Sequence, residues 1–521
     1  MNTALQQIVI VGGGAAGWLT ASLLAAELNY DQGKPLAQAK VQISLIESPD
    51  VQIIGVGEGT WPSMRHTLEK IGLSETEFLI ACEASFKQGS EFYDWHGAGQ
   101  GYYLHPFTLP AGYPEINLAP YWLPFASEVS FAEAVCPQQQ LVRLGLAPKQ
   151  ISTAQYSFIN NYGYHLNAGK FTQLLQQHAT SKLGVVYRPL HIEAVENHAD
   201  GRIAAVVGSN GERIAGDLFV DCSGQPSLLL GQHLQVPWIS QQHILFNDSA
   251  LAIQVPYAQP DSPMASCTKA TAQPAGWVWD IALPSRRGIG HVFSSAHCSE
   301  AQARQHLNSY LAAQPDLAAA NAEDARLLRF EPGYRARCFE KNCVAIGMAA
   351  GFIEPLEASA LALVEWTAKS LAALLPGDIG LLPVMAARLN AGFSQHWQQI
   401  VEFLKLHYVL SRRADHDYWL MHRERHSIPD SLQQLLQLWK HQPPMPADIR
   451  QADQLFPAAS YQYVVMGMGL DCHYANDKIS MQQKARQYFQ DNQKKTAAMR
   501  QALPGNRELL EKIHRYGLPT L

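Results

Sequence analysis

The chain has no Cys-x-x-Cys pair. Its eight cysteines are scattered through 521 residues, at 82, 136, 222, 267, 298, 338, 343 and 472. That spacing excludes a disulfide framework and a zinc site, and it predicts reduced thiols used as small buried hydrophobes. No metal centre is expected. No block of lysine or arginine stands out: charged residues make up 16% of the chain and the net charge is −6. Nucleic acid and anionic membrane surfaces are thereby excluded as partners. Long hydrophobic runs are missing too. The apolar stretch 358–374 is interrupted by Glu365 and Lys369, so it is no membrane span. No basic segment precedes the first apolar run at Ile8, which predicts no secretory signal and a cytoplasmic address. There is no internal repeat. An apolar content of 47% argues against disorder, and the length allows a large core.

What is present begins with Ile8-Val9-Ile10-Val11, a continuous apolar run of the kind found in a buried parallel strand. A glycine-rich turn, a helical pattern from Trp18 to Leu28 and a second strand from Val41 to Ile46 complete a βαβ start. Residues 63–83 read as helix. Residues 98–130, rich in Gly, Pro and aromatics, read as long loops of a substrate site or lid. Residues 183–221 alternate apolar and polar side chains, with Asp-Gly at 200 and Asn-Gly at 210, and predict antiparallel hairpins. That stretch ends in a buried strand running into Asp221-Cys222-Ser223-Gly224. Residues 248–295 alternate again and predict a mixed sheet. Residues 343–347 form another strand, and helix dominates from 358 onward. His-Gln-Pro-Pro-Met-Pro at 441–446 reads as a linker.

Gly12-Gly13-Gly14-Ala15-Ala16-Gly17 satisfies G-x-G-x-x-G in the right setting, with a strand before it and a helix after. Gly12, Gly14, Ala15, Ala16 and Gly17 would bring backbone close to a pyrophosphate at a helix N-terminus. Glu47, at the end of the second strand, can accept from ribose hydroxyls. It lies 35 residues after Gly12, beyond the roughly 20 of a compact NAD unit. The strand ending at Gly224 and the small-residue turn at Gly347–Gly351 recur in flavoproteins, so FAD is preferred. No second G-x-G-x-x-G opens a separate nicotinamide domain, so reduced flavin comes from elsewhere or from a nicotinamide that binds without its own domain. The expected class is α/β: an FAD-binding Rossmann-type, flavin monooxygenase-like module over 1–357, with mixed sheets and substrate loops near 98–130. A mainly helical region over 358–521 would complete the substrate pocket.

Residues 276–284 read Gly-Trp-Val-Trp-Asp-Ile-Ala-Leu-Pro. On a strand, Trp277 and Trp279 point to one face. Cores usually prefer aliphatics, which have no N–H to satisfy. The pair therefore predicts a walled passage beside the flavin.

These segments together resemble the flavin-dependent tryptophan halogenase family. The matching features are the Gly12–Gly17 fingerprint continuing into Trp18, Gly55-Val56-Gly57-Glu58-Gly59-Thr60-Trp61-Pro62, and Lys87 within Ser85-Phe86-Lys87-Gln88-Gly89. The Trp277/Trp279 tract and Gly351-Phe352-Ile353-Glu354-Pro355-Leu356-Glu357 follow in the family's order. The resemblance implies an enzyme that uses FADH2, O2 and chloride or bromide to make hypohalous acid at the flavin. The oxidant then passes down a tunnel walled by Trp277 and Trp279 to Lys87, which aims it at an electron-rich, indole-type aromatic. Glu357 assists and takes the arenium proton. Gly347 and Leu356 join the cofactor set. The backbone amides of Ser359 and Ala360 hold the halide; the family commonly has Thr-Gly there, so halide preference is open. Ala282 also departs from a family proline.

His105 and Phe107 match the family segment that sandwiches the indole, with Tyr461 as the opposite wall. The Tyr-Tyr-Glu type segment that grips a free amino acid is not found between 425 and 458, where only Asp448, Arg450 and Asp453 are charged candidates near its end. Free tryptophan is therefore expected to be a poor substrate beside indole or a phenol. A separate flavin reductase and a homodimer are implied by the resemblance. The alternatives are a flavin-dependent aromatic hydroxylase and a flavin-binding protein whose halogenase activity is lost.

Overall fold

The strand Gln7–Val11 is buried from Ile8 onward, which suits the interior of a sheet and no edge. It pairs in parallel with Gln42–Glu47 on one side and Leu218–Asp221 on the other. The computed structural model describes residues 4–520 except 32, 38, 51–56, 100, 376, 450–453 and 477. Gly55 and Val56 of the second family segment, and Arg450 and Asp453, lie outside the described residues. The full sheet runs Val186–Pro189, Gln42–Glu47, Gln7–Val11, Leu218–Asp221, Cys343–Ala345 and Phe339–Glu340 in that order. Only the last pairing is antiparallel.

Helix Ala15–Asn29 is buried almost all round, because helices Ala168–Ser181 and Ala360–Leu374 both pack on it. The helix expected over 63–83 is two helices, Ser63–Lys70 and Glu75–Ala81, separated at Gly72, whose φ is +79°. The predicted hairpins are present as Ile192–Asn197, Ile203–Gly208 and Arg213–Ala215. These elements form one unit, drawn from Met1–Cys82, Asn167–Gln241 and Glu331–Trp397.

A second unit comprises Glu83–Leu166, Gln242–Phe330 and Gln398–Leu521. Its centre is a seven-stranded mixed sheet. The order is Arg326–Arg329, Ser249–Pro256, Arg286–Phe293, Gly276–Ala282, Thr268–Gln273, Gly89–Tyr93 and Tyr102–Pro106. The edge strand Tyr102–Pro106 falls within the stretch expected to be loop. Its alternation is short and lies between glycine- and proline-rich runs, and pairing with Gly89–Tyr93 overrides them. Helices Asp430–Leu438, Ala458–Gly467, Ile479–Ala502 and Asn506–Tyr516 complete this unit. The observed class is the expected α/β with mixed sheets and a mainly helical C-terminal region. The compact units, however, cut the chain elsewhere than at 357, since helix Ala360–Leu374 belongs to the first unit and the helices beyond 398 to the second. Among the described residues no helix is long and apolar enough to cross a membrane.

Candidate active site

The fingerprint turn has the geometry of a pyrophosphate cradle. Gly12 has φ +116°, and a Cβ there would stand 2.1 Å from the Cys222 carbonyl oxygen. A Cβ on Gly17 would stand 1.9 Å from Gly12 O. At Gly14 a Cβ would meet nothing within 4 Å, so open space faces the helix N-terminus. That N-terminus carries no side-chain cap, which leaves the first N–H groups, at Ala15 and Ala16, to a ligand. Glu47 reaches the same turn: a Cβ on Gly13 would lie 2.1 Å from its carboxyl carbon. Burial raises the Glu47 pKa, and hydrogen bonding to Tyr187 opposes the rise. Gly347, at φ +72°, would meet the Ala16 Cβ at 2.8 Å, so the third flavin-type segment closes on the first. Asp221, by contrast, is spent on its own loop, accepting from Ser223, Leu229 and Leu230 backbone N–H groups. The residues present fit a flavin dinucleotide, with open space where phosphate belongs and an acid where ribose belongs.

In the same unit, the segment after Gly57 meets the segment ending at Glu357. The Trp61 indole N–H donates to the Glu357 carbonyl oxygen at 2.7 Å. Ser63 Oγ donates to Glu365 Oε2 at 2.7 Å, and Thr67 Oγ1 donates to the other oxygen of that carboxylate. Burial pushes the Glu365 pKa up, with Lys369 opposing. Glu365 thus anchors the helix that follows Glu357. Leu356 and Glu357 are buried, and Ala358 takes a left-handed φ of +54° in the turn that follows. Ser359 then caps helix Ala360–Leu374 through its backbone, without a side-chain hydrogen bond. The N–H groups at Ser359 and Ala360 therefore open a 15-residue helix whose N-terminus favours an anion.

In the second unit, Lys87 ends strand Ser85–Lys87, which pairs with Gly163–Leu166. It is 1% exposed, and its ammonium lies 5.4 Å from the centroid of the Phe107 ring. A lysine buried to that degree is uncommon, and a facing aromatic ring stabilises its charge. The Phe107 backbone N–H donates to Gln88 O at 3.1 Å, which ties the ring's segment to the lysine's. His105 is also buried, but its ring neighbours are Phe403 at 5.6 Å and Tyr463 at 6.3 Å. Tyr461 faces Phe403 at 4.9 Å and Trp439 at 5.3 Å. Phe403 thus stands against both His105 and Tyr461, and Tyr463 is the tyrosine whose ring meets His105. Tyr463 also donates to Thr108 O at 2.9 Å. Phe403 and Tyr463 carry no motif signal; both sit in apolar helical runs.

The tryptophan strand Gly276–Ala282 is buried throughout. Trp277 and Trp279 share a face, with ring centroids 6.4 Å apart. They are not equivalent. Trp277 is fully buried and packs on Trp95 at 6.5 Å, whereas the Trp279 ring lies over Gly290, the residue opposite it. Ala282, where the family has proline, stays in the strand, and its carbonyl accepts from Ser85 Oγ at 2.6 Å. An open hollow of about 640 Å³ in this unit, lined by His243, Ile244, Glu424, Arg425 and Asp430 among others, contains none of these residues. It is a surface depression with both signs of charge at its rim. All eight cysteines are free and buried, and no cluster able to hold a metal ion occurs among the described residues.

A sheet parallel at all but its last pairing, delivering a glycine turn, an acid and a third small-residue turn to one place, is the frame of a dinucleotide-binding protein of Rossmann type. The comparisons with known proteins make this specific. The tryptophan halogenase family model matches residues 7–483. The solved structure of a tryptophan halogenase from Shewanella frigidimarina NCIMB 400 is 55% identical, with a TM-score of 0.97 over 100% of both chains. Tryptophan 6-halogenase of Streptomyces toxytricini is 32% identical over 492 residues, 90% of each chain. A flavin-dependent halogenase from Brevundimonas sp. BAL3 is 31% identical, with a TM-score of 0.85 over 98% of this chain and 99% of that one. The chain belongs to the tryptophan halogenase family and is a flavin-dependent halogenase, with FAD in reduced form, O2 and halide as its requirements. A separate flavin reductase and an aromatic substrate go with that membership.

Proposed function

We propose that the protein halogenates an indole-type aromatic without an amino-acid backbone, with Lys87 delivering the halogen and Glu357 taking the displaced proton. When bound, reduced FAD would supply two electrons to O2 and halide the other two, giving hypohalous acid and hydroxide. Gly12, Gly14, Ala15, Ala16 and Gly17 hold the pyrophosphate, Glu47 the ribose, and Gly347 and Leu356 border the cofactor. The Ser359 and Ala360 N–H groups hold the halide. The Lys87 ammonium donates to the hypohalous oxygen, weakening the O–X bond as the aromatic carbon attacks X. The oxygen takes a proton from the Lys87 ammonium and leaves as water, the ring proton passes to the Glu357 carboxylate, and exchange with solvent restores both groups. Trp277 and Trp279 keep reactive side chains away from the oxidant.

The observation that carries this reading is the burial of Lys87 with its ammonium over Phe107. Lys149 and Lys405 are buried over rings as well, so what distinguishes Lys87 is that its ring, Phe107, belongs to the segment assigned to the substrate. His105, Phe107 and Tyr461 are assigned to the substrate side, with Phe403 and Tyr463 added to them. That the sequence from 425 to 458 carries no Tyr-Tyr-Glu type segment supports indole over tryptophan. The eight unpaired thiols support a cytoplasmic address. A homodimer is part of the same proposal.

The test supplies flavin reductase, FAD, NADH and bromide with indole or tryptophan, and reads the two-peak bromine pattern by mass spectrometry. Wild type is expected to brominate indole faster than tryptophan. Lys87→Ala should lose about 100-fold or more of the bromination rate while FAD affinity holds. Equal turnover of both substrates would remove the substrate assignment. Wild-type bromination by the variant would remove the role of Lys87.

A further inference from the structure

Strand Ser85–Lys87 runs antiparallel to Gly163–Leu166, with Lys87 opposite Gly163 and Ser85 opposite His165. Directly opposed residues share a face, as do alternate residues of one strand. Lys87, Ser85 and His165 therefore leave one face, and Gly163 leaves the place opposite Lys87 without a side chain. The diagonal neighbour of Lys87 across the pair is His165, within reach of a long side chain. His165 is fully buried. Its Nε2 pairs with Thr268 Oγ1 at 2.8 Å, and its Nδ1 has no hydrogen-bond partner among the described residues. Burial, and then the charge of Lys87, hold its pKa well below the usual value, so the ring is neutral. Burial, and then Glu91, hold the buried Cys267 thiol well above its usual pKa, and Lys87 opposes the rise. A buried ring nitrogen left unpaired is costly, and leucine would fill this space without that cost. His291 and His422 share such a nitrogen, and what sets His165 apart is its place on the face from which Lys87 leaves, with Thr268 anchoring the ring.

We propose that His165 is a positioning residue for Lys87. Anchored by Thr268, the uncharged ring bounds the swing of the lysine side chain over the empty place at Gly163 and holds the amine where halogen is transferred. This inference rests on the role given to Lys87 above. It requires no contact between His165 and the substrate, the halide or the cofactor.

The test compares two rates with bromide as the halide. One is hypobromous acid formation, read with a soluble 1,3-dione scavenger in the absence of indole. The other is brominated indole. Their ratio is the coupling. His165→Leu is expected to lower coupling at least tenfold, with scavenger rate and KM for indole unchanged. His165→Gln, neutral and able to pair with Thr268, should recover part of it. Thr268→Val, which keeps the ring and removes its anchor, should fall between, and it decides the matter should His165→Leu not fold. Wild-type coupling in both His165→Leu and Thr268→Val overturns the proposal. So does a scavenger rate that falls in step with product, since that is general damage. Lys87→Ala is run alongside. If it keeps wild-type coupling, the reading of Lys87 fails and takes this inference with it; if it abolishes coupling while the His165 and Thr268 variants do not, only this inference fails.

Discussion

At the scale of single residues, Gly13 shows how a small change can strike the cofactor and spare the fold. A Cβ there would overlap the end of the Glu47 side chain, at 2.1 Å from its carboxyl carbon. That end is flexible, so the clash is relieved by moving Glu47 and not by moving the sheet. Gly13→Ala should therefore fold normally yet bind FAD about 10- to 100-fold more weakly, which is roughly 1.4–2.7 kcal/mol of lost affinity. Titration of FAD against intrinsic fluorescence checks this, and an unchanged Kd would show that Glu47 does not serve the ribose. The cradle glycines and Glu47 were legible because a phosphate turn needs absent side chains at fixed spacing. The roles proposed for Lys87 and Glu357 come from the segments around them. Phe403 and Tyr463, proposed for the substrate side on their ring contacts, have no such signal, because an aromatic in an apolar helical run looks the same in a core as in a site. His165 was also silent: a lone histidine in a short strand has no pattern until its partner strand is known.

At the scale of elements, the alternation over 276–282 foretold a strand and the shared face of its two indoles. It could not foretell that they differ. Trp277 has Trp95 against it and is fully enclosed, while Trp279 covers a glycine, where a Cβ would stand 2.1 Å from its ring. Covering a strand glycine with a facing aromatic is a known way to fill such a gap. The other face of the strand is tied by Asp280, whose carboxylate pairs with Arg287 and accepts from Tyr310 at 2.7 Å. Trp277→Ala is thus expected to cost about 3–5 kcal/mol of stability, as large-to-small changes in a closed core do. Denaturant unfolding measures it. A loss near zero would show that the packing of Trp277 on Trp95 contributes nothing to the fold, and would leave walling the passage as its one role. The loop expected over 98–130 gives way to a strand at Tyr102–Pro106 for a related reason. Tyr102–Pro106 becomes a strand only because Gly89–Tyr93 offers it an edge, and that partner is not local information.

At the scale of the whole molecule, the chain visits each of its two units three times, and this is what sequence composition hides. A change from mixed sheet to helix near residue 358 is visible in the sequence, and it invites a boundary there. The helix that begins at Ala360 nevertheless packs on Ala15–Asn29, directly behind the cofactor turn, and Glu365 within it accepts from Ser63 and Thr67. The first unit is therefore unfinished at residue 357. It lacks the apolar cover for its first helix, and it lacks the carboxylate that Ser63 and Thr67 need. A chain ended after residue 357 should neither unfold cooperatively nor bind FAD. The whole protein should do both, with FAD at 100 times its Kd adding about 2.7 kcal/mol of stability. Calorimetry of the two proteins with and without FAD decides it. A cooperative, FAD-stabilised transition in the shortened chain would mean that residues 1–357 form a self-sufficient module and that the helix at Ala360 is an addition to it; its absence would mean that cofactor binding itself depends on chain synthesised after Glu357.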